Sequence, residues 1–145
     1  MIRRLCFGFI FLLVFTSLAH AEMVSISRAN ARMRSGAGEK YQVKWELGIG
    51  YPLKVVGRQG NWLKVTDFEN DGGWITKKQA GQTPHMIVKD KKAIIHNGPG
   101  ENQRVVGNAK RGVVFRTIKH NKGWVQVKHE SGLSGWIRRS ALWGW

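Results

Sequence analysis

The sequence predicts an all-β fold, in which two small β-barrels follow one another in the chain, pack on each other and are preceded by a signal peptide. Three observations support this prediction: short alternating segments between glycine-rich turns, a self-similarity with an offset of 62 residues, and an apolar stretch near the N-terminus. No window carries a convincing 3.6-residue apolar period with helix caps. The 145 residues leave room for two small domains, and a hydrophobic fraction of 42% suffices for packed cores.

The N-terminal segment has the layout of a secretory signal peptide. Residues 1–4 carry two arginines and no acid, residues 5–19 are mainly apolar, and Ala19-His20-Ala21 provides a small-x-small cleavage site. The apolar stretch of 15 residues is short for a spanning helix, which needs about 20, and an uncleaved anchor is the alternative. We therefore expect residues 1–21 to be a signal peptide that is cut after Ala21, and the product to be periplasmic or secreted.

Cleavage changes the composition of the expected product. The single Cys6 lies in the discarded segment, so the product uses neither disulfides nor a thiol nucleophile. Loss of Arg3 and Arg4 leaves 22 basic and 9 acidic residues, which lowers the net charge from +15 to +13. This charge is dispersed along the chain, which favours anionic envelope partners over a specific nucleic-acid groove. No later segment is apolar enough to span a membrane, and the spacing of the histidines indicates no metal or cofactor site.

The chain after the signal segment repeats itself with an offset of 62 residues. The offset needs no gap and holds through three clusters of glycine and tryptophan. The paired positions include Gly36 with Gly98, Glu39 with Glu101, Gly50 with Gly112, Trp62 with Trp124, and Gly73-Trp74-Ile75 with Gly135-Trp136-Ile137. The repetition predicts two copies of one domain, the first over residues 22–90 and the second over residues 91–145.

Each copy is predicted to consist of short strands joined by tight turns. The strand segments are residues 51–56, 61–67 and 73–76 in the first copy, and residues 113–118, 124–128 and 135–138 in the second. Each copy also contains one predicted 3₁₀-like turn, at residues 77–80 and at residues 138–141. Short strands with glycine-rich turns favour small barrels, because closure of the barrel hides the sheet edges.

The two copies differ at their ends. Residues 85–89 predict a closing strand for the first copy, whereas the equivalent positions of the second copy would lie beyond Trp145. The second barrel then lacks this strand, unless residues 142–145 or the surface of the first copy replace it. Trp143 and Trp145 are interface or terminus residues, which either cap the second barrel, pack between the domains or stay exposed for a partner.

Two of the repeated tryptophans are predicted to be architectural. Trp74 and Trp136 each stand between a glycine and an isoleucine, where the glycine lets a bulky ring lie against a neighbouring backbone. We therefore expect a structural core that contains Trp74, Trp136, Ile75 and Ile137. Trp62 begins an alternating strand, as its equivalent in the second copy does, and both a packing role and a ligand platform stay open for it.

The motifs of both copies resemble those of bacterial SH3-like (SH3b) domains. Residues 31–38, Ala-Arg-Met-Arg-Ser-Gly-Ala-Gly, are similar to the N-V-R-x-G-P-G opening of that family, and residues 60–65 supply its G-x-W-x-x-V motif. Gly-Trp-Ile occurs in both copies, and Leu142-Trp143-Gly144 resembles the ending of exported proteins with two such domains. The second copy departs from the pattern at residues 94–97. The resemblance implies two SH3-like barrels and, commonly, recognition of cell-wall or peptide ligands.

These observations predict an exported, non-enzymatic binding protein of the bacterial cell envelope, which recognises peptidoglycan or another anionic wall component. Aromatic faces suit the apolar faces of sugars and peptides. Trp45 and Tyr51 occur in the first copy alone, so repetition does not force them into the core. The candidate ligand-binding residues are Tyr41, Trp45, Tyr51, Trp62 and Trp124.

Two other classes of function are weighed against this prediction. An envelope scaffold would bind another protein through a sheet edge or through the last tryptophans of the chain. An enzyme is disfavoured, because the expected product has no cysteine and residues 132–135 lack the G-x-S-x-G spacing of a serine nucleophile. The sequence sets neither the identity of the ligand nor the oligomeric state.

Overall fold

The computed structural model describes residues 21–145 of the chain. The predicted signal segment, with Cys6, lies outside the described residues except for Ala21. Residues 21–145 form short antiparallel strands in two seven-stranded sheets, with one single-turn 3₁₀ helix attached to each. Within this part of the chain, no helix has the length and apolar character needed to cross a membrane.

The first sheet is built from residues 22–81. Its strand order is β3-β2-β6-β5-β4-β1-β7, and a 3₁₀ turn at Lys77–Gln79 connects β6 to β7. The strands are β1 (Glu22–Ile26), β2 (Ala31–Arg34), β3 (Val43–Leu47), β4 (Pro52–Gln59), β5 (Trp62–Thr66), β6 (Gly72–Thr76) and β7 (Ala80–Gly81).

The second sheet repeats the same topology in residues 85–144. Its order is β10-β9-β13-β12-β11-β8-β14, and a 3₁₀ turn at Arg139–Ala141 connects β13 to β14. The strands are β8 (His85–Val88), β9 (Lys92–His96), β10 (Val105–Lys110), β11 (Val114–Asn121), β12 (Trp124–Lys128), β13 (Ser134–Arg138) and β14 (Leu142–Gly144). The predicted fold class, two tandem small β-barrels of antiparallel strands, is confirmed.

The prediction that residues 85–89 close the first barrel is wrong. β8 pairs with β11 and β14 of the second sheet, with Val114 opposite Ile87 and Leu142 opposite Val88. β8 therefore opens the second barrel as β1 opens the first, and β14 occupies the place that β7 has in the first sheet. The alternative prediction, that residues 142–145 complete the second barrel, agrees with the pairing of β14 (Leu142–Gly144) with β8. We propose on this pairing that the domain boundary lies within residues 82–84 rather than between residues 90 and 91.

Each barrel encloses one apolar core, and strand alternation decides which side chains enter it. Ile75 and Ile137 are fully buried, as expected. Trp74 and Trp136 differ from the prediction, because they are only half-buried and lie outside both core clusters. On β6 the neighbours Gly73 and Ile75 face the interior, so Trp74 faces outward.

The glycine before each of these tryptophans makes room for atoms of the neighbouring strand and not for the indole ring. A Cβ atom at Gly73 would lie 2.5 Å from Cγ of Met33, which is fully buried. A Cβ atom at Gly135 would lie 2.6 Å from the carbonyl oxygen of His96. Glycine is therefore required where β2 and β9 approach the neighbouring strand.

The two barrels pack on each other through β4, β8 and β14. Ile87 is fully buried but belongs to neither core cluster, since its neighbours Met86 and Val88 occupy the inward positions of β8. On the outer side of the interface, the Arg111 guanidinium lies 3.6 Å from a Glu69 carboxylate oxygen and 4.9 Å from the Phe68 ring centroid.

Candidate functional site

An open groove of about 670 Å³ lies on the first barrel beside Trp62, and we call it the Trp62 groove. Trp62 begins β5 and is half-buried, so part of its indole ring borders the groove. The remaining lining residues are charged or polar and come from the loop after β1, the loop before β3 and the 3₁₀ turn. They are Arg28, Glu39, Asn61, Thr76, Lys77, Lys78 and Gln79.

The 3₁₀ turn holds two lysines next to Trp62. The backbone N–H of Lys77 donates to the carbonyl oxygen of Asn61 at 2.9 Å. The backbone N–H of Thr76 donates to the side-chain oxygen of Gln79 at 3.0 Å. The first hydrogen bond anchors the turn to the residue before β5, and the second closes the turn on itself. The exposed side chains of Lys77 and Lys78 therefore lie along the groove. Lys77 and Lys78 were not among the predicted ligand residues, although the sequence places two lysines close after the Gly-Trp-Ile motif.

The opposite side of the Trp62 groove is formed by the loop between β2 and β3. Arg34 donates from Nη1 to the carbonyl oxygens of Glu39 and Tyr41, both at 3.0 Å, which fixes the loop. The Tyr41 ring lies across Gly36, where a Cβ atom would come within 2.6 Å of ring carbons. Tyr41 is 40% exposed and shares this loop with the groove-lining Glu39.

The second barrel has an equivalent groove, but it is much smaller and is closed over its tryptophan. The cavity measures about 220 Å³ and is lined by Glu101, Trp124 and Arg138, the repeat equivalents of Glu39, Trp62 and Thr76. Arg138 forms an ion pair with Glu101, and its guanidinium carbon lies 5.1 Å from the Trp124 ring centroid.

Trp124 was a candidate ligand residue, and the structure buries it. Its exposed fraction is 9%, and the His96 ring meets it edge-on with 5.3 Å between centroids. Trp124 is buried where Trp62 is open because two neighbouring positions differ between the copies. His96 stands at the position of Arg34, and Arg138 at the position of Thr76. The expectation of a ligand platform at Trp124 is therefore not met.

Trp45 lies away from the Trp62 groove, next to the turn at residues 67–71 between β5 and β6, which we call the acidic turn. Its exposed fraction is 53%, and its indole N–H donates to a carboxylate oxygen of Asp71. Lys44 forms an ion pair with the same carboxylate at 3.1 Å. The hydrogen bonds from Lys44 and then Trp45 lower the pKa of Asp71 below its usual range.

Tyr51 also contacts the acidic turn. Its hydroxyl donates to Oδ2 of Asp67 at 3.3 Å, while Oδ1 of Asp67 accepts the backbone N–H groups of Glu69 and Asp71, both at 2.9 Å. Burial, followed by the negative charge of Asp67, raises the pKa of the Tyr51 phenol above its ordinary value. Of the candidate ligand residues, Trp62 borders the open groove and Tyr41 lies on its loop. Trp45 lies at the acidic turn, and Tyr51 lies between the acidic turn and a cleft that separates the two barrels.

The last two tryptophans are attached to the second barrel near its contact with the first. Trp143 lies opposite Ile87 in the β14–β8 pair and is half-buried. The backbone N–H of Trp145 donates to the carbonyl oxygen of His85 at 3.2 Å, and the Thr117 hydroxyl donates to the main-chain oxygen of Trp145 at 2.6 Å. Within residues 21–145, no group of three or more His, Cys, Asp or Glu side chains is placed to hold a metal ion.

Comparison with known proteins finds two relatives that match different shares of this chain. The chain is 19% identical over 140 residues to "Putative N-acetylmuramoyl-L-alanine amidase YrvJ" of Bacillus subtilis, which covers 84% of this chain and 27% of that protein. It is 29% identical over 84 residues to an uncharacterized protein of Haemophilus influenzae, which covers 56% of this chain and 41% of that protein. The chain therefore spans less than half the length of either relative.

Solved structures with a local likeness include NlpC2 from Trichomonas vaginalis and an NlpC/P60 family protein from Bacillus cereus. The first has a TM-score of 0.37 at 13% identity and covers 88% of this chain and 49% of that chain. The second has a TM-score of 0.38 at 14% identity and covers 86% of this chain and 56% of that chain.

A family model gives the most direct comparison, because it matches each barrel separately. The bacterial SH3 domain model matches residues 27–79, which include β2 to β6, and residues 89–144, which include β9 to β14. The two matched segments together make up more than half of the chain. The chain belongs to the bacterial SH3 domain family.

Proposed function

We propose that this protein is a non-enzymatic binding protein of the bacterial cell envelope, and that it recognises peptidoglycan through the Trp62 groove. Bacterial SH3 domains are linked to cell-wall binding, and one relative carries the name of an N-acetylmuramoyl-L-alanine amidase. The observation that carries the proposal is the half-exposed Trp62 ring beside Arg28, Lys77 and Lys78.

The groove offers the two kinds of contact that a wall fragment needs. An indole face gives a rigid apolar surface for a sugar ring or a peptide backbone at low cost in side-chain entropy. Arg28, Lys77 and Lys78 supply positive charge for peptide carboxylates, because an ionised acceptor strengthens a hydrogen bond. Glu39 supplies an acceptor for amide or hydroxyl donors on the opposite side.

The first barrel is the proposed binding unit and the second barrel its support. In the second barrel the Arg138–Glu101 ion pair already occupies the equivalent groove, and Trp124 is buried. A ligand there would have to displace both contacts before it reached the indole ring. In the first barrel Thr76 is too short to make them, so the groove is open.

The proposal places the protein outside the inner membrane, in the periplasm or the medium. It rests on the signal peptide predicted at residues 1–21 and on the net charge of +13 expected after its removal. A cationic protein accumulates on an anionic wall, and this contribution weakens as salt is added. Binding through the groove adds a contribution that depends on shape and is less sensitive to salt.

Sedimentation with purified peptidoglycan sacculi across a salt series tests the proposal. We expect Trp62→Ala to weaken binding about tenfold. A tenfold change corresponds to about 1.4 kcal/mol of binding free energy, which is a typical minimum cost of truncating an aromatic residue at the centre of an interface. Trp45→Ala is the matched control, since it removes an exposed indole that lies outside the groove. Equal sedimentation of the wild type and Trp62→Ala at moderate salt, with both folded by circular dichroism, would contradict the proposal.

One observation favours a second candidate function, an envelope scaffold. β3 is an outer strand of the first sheet, and it carries the exposed Trp45 between the charged residues Lys44 and Glu46. An outer strand of this kind can accept a strand from a partner. The same pair of variants separates the two functions: a pull-down of envelope proteins that is lost in Trp45→Ala and kept in Trp62→Ala supports the scaffold.

A further inference from the structure

We propose that the cleft between the two barrels is a second binding site, which takes a compact oxyanion such as a phosphate or a carboxylate group. The cleft has a volume of about 700 Å³ and is lined by residues of both barrels. The cleft and the Trp62 groove have no lining residue in common, so this proposal goes beyond the proposed function and does not depend on it.

Three basic side chains stand side by side on one face of the second sheet. Arg116 on β11 lies opposite His85 on β8 and opposite Lys128 on β12. Directly opposed residues of neighbouring antiparallel strands point to the same face, with about 5 Å between their Cβ atoms. All three residues line the cleft. We call His85, Arg116 and Lys128 the basic row.

The row has no counter-charge that explains it as a structural ion-pair network. Among residues 21–145, neither Arg116 nor Lys128 forms an ion pair or a side-chain hydrogen bond, whereas Arg58, Arg111 and Arg138 each pair with a glutamate. Like charges placed directly opposite one another destabilise a sheet. An anion bound between them would remove this repulsion.

The row is also not required by the barrel. The repeat equivalents of His85, Arg116 and Lys128 in the first barrel are Met23, Lys54 and Thr66, and these three stand opposite one another in the same register. The same fold therefore forms with a single basic residue, Lys54, at these three positions. The second barrel carries its basic row on the face that borders the first barrel.

The rest of the cleft suits an anion that carries an apolar group. Ile49, which is 63% exposed, contributes an apolar wall together with Val113 and Val114. Apolar surface beside a charge lowers the local dielectric constant, which strengthens the attraction between a bound anion and the basic row. Glu130 is the one acid among the lining residues, and it is exposed.

Two histidine rings of the cleft are held by hydrogen bonds on one nitrogen. Nδ1 of His85 lies 2.8 Å from the Thr83 carbonyl oxygen, which only accepts, so Nδ1 carries the proton of that bond. Nδ1 of His129 accepts the backbone N–H of Ser131 at 3.1 Å, so the proton of the neutral ring lies on Nε2. His129 thus supplies an N–H donor beside the charge of Arg116 and Lys128.

Thermal unfolding with added sodium phosphate, at an ionic strength held constant with sodium chloride, tests this site. We expect phosphate to raise the Tm of the wild-type protein, because an anion that binds the folded state shifts unfolding upward. Acetate is expected to raise it less, since it carries one charge where phosphate near neutral pH carries up to two. The upward shift should disappear in Arg116→Gln and persist in Lys54→Gln, which changes the equivalent position of the first barrel.

The outcomes separate this site from the Trp62 groove. Without phosphate, Arg116→Gln should be at least as stable as the wild type, because it relieves repulsion from Lys128. It should also bind sacculi as the wild type does, while Trp62→Ala should keep the phosphate shift. No shift in the wild-type protein, or an equal shift in Arg116→Gln, would overturn the inference.

Discussion

At the scale of single residues, the neighbours of an aromatic ring decide whether it can meet a ligand. Trp62 and Trp124 occupy equivalent positions on equivalent strands, yet one borders an open groove and the other is buried. Two substitutions account for the difference, since Arg138 and His96 cover the second ring and Thr76 leaves the first uncovered. A copied motif therefore does not imply a copied site.

Tyr51 gives a prediction at the residue scale that concerns alkaline pH. Burial and the Asp67 charge raise its folded pKa above the unfolded value, so its stabilising contribution is present below about pH 10 and is lost as pH rises beyond it. We expect Tyr51→Phe to lessen the alkaline loss of unfolding free energy, measured by urea denaturation between neutral pH and pH 11. Tyr41→Phe, the matched control, should leave that loss unchanged; an unchanged alkaline loss in Tyr51→Phe would show that Asp67 and burial have no such effect.

At the scale of elements, β14 completes the second barrel and explains the Leu-Trp-Gly motif. Leu142 is 1% exposed and enters the second core, while Trp143 lies opposite Ile87 on β8. Gly144 has φ +135°, and a Cβ atom there would lie 2.2 Å from the carbonyl oxygen of His85. Only glycine lets β14 approach β8 this closely.

The close approach predicts a large cost for Gly144→Ala. The change adds both the strain of positive φ, about 1–2 kcal/mol, and an overlap with the β8 backbone of about 1–3 kcal/mol. Gly123→Ala is the matched control, because Gly123 has φ +84° and nothing within 4 Å of an added Cβ. We expect urea denaturation to give a clearly lower unfolding free energy for Gly144→Ala than for Gly123→Ala. Equal values would mean that β14 does not depend on this contact.

At the scale of the whole molecule, the two barrels contact each other through a shared interface and are not joined by a linker alone. Ile87 is buried where β8 meets the first barrel, and Gly50 lies so close to His85 that an added Cβ would be 2.7 Å from the imidazole Cδ2. Arg111 joins the acidic turn through Glu69 and Phe68. The interface shapes the cleft that carries the basic row.

The shared interface predicts coupled unfolding of the barrels. Ile87→Ala removes buried apolar volume between them and should lower the unfolding free energy by about 2–5 kcal/mol, with two calorimetric transitions in place of one. Ile94→Ala, at a 37% exposed position, should leave a single transition close to that of the wild type. Rapid proteolysis of the native wild-type protein within residues 81–90 would instead indicate that the barrels move independently.

Part of the candidate site was accessible from the sequence and part was not. The glycines, Trp62 and the 3₁₀ turn follow from motifs and local patterns, and Trp62 was among the candidates. Lys77 and Lys78 were visible as a pair but gained meaning only when the turn placed them along the groove. Trp45 and Tyr51 were candidates because they are aromatic and occur in the first copy alone, whereas hydrogen bonds to Asp71 and Asp67 hold them away from the Trp62 groove.

The amino-acid sequence by itself determined the duplication, three strands of each barrel (β4 to β6 and β11 to β13) and the turns between them, because period-two alternation and tight-turn residues act within a few neighbouring positions. Leu63 and Val65, for example, are buried on β5 as their alternation predicts. Only the tertiary structure decided that β8 joins the second sheet and that Trp124 is covered. Those outcomes depend on contacts between residues far apart in sequence, such as Arg138 with Glu101 and Leu142 with Val88, and no local pattern encodes which distant partner will be present.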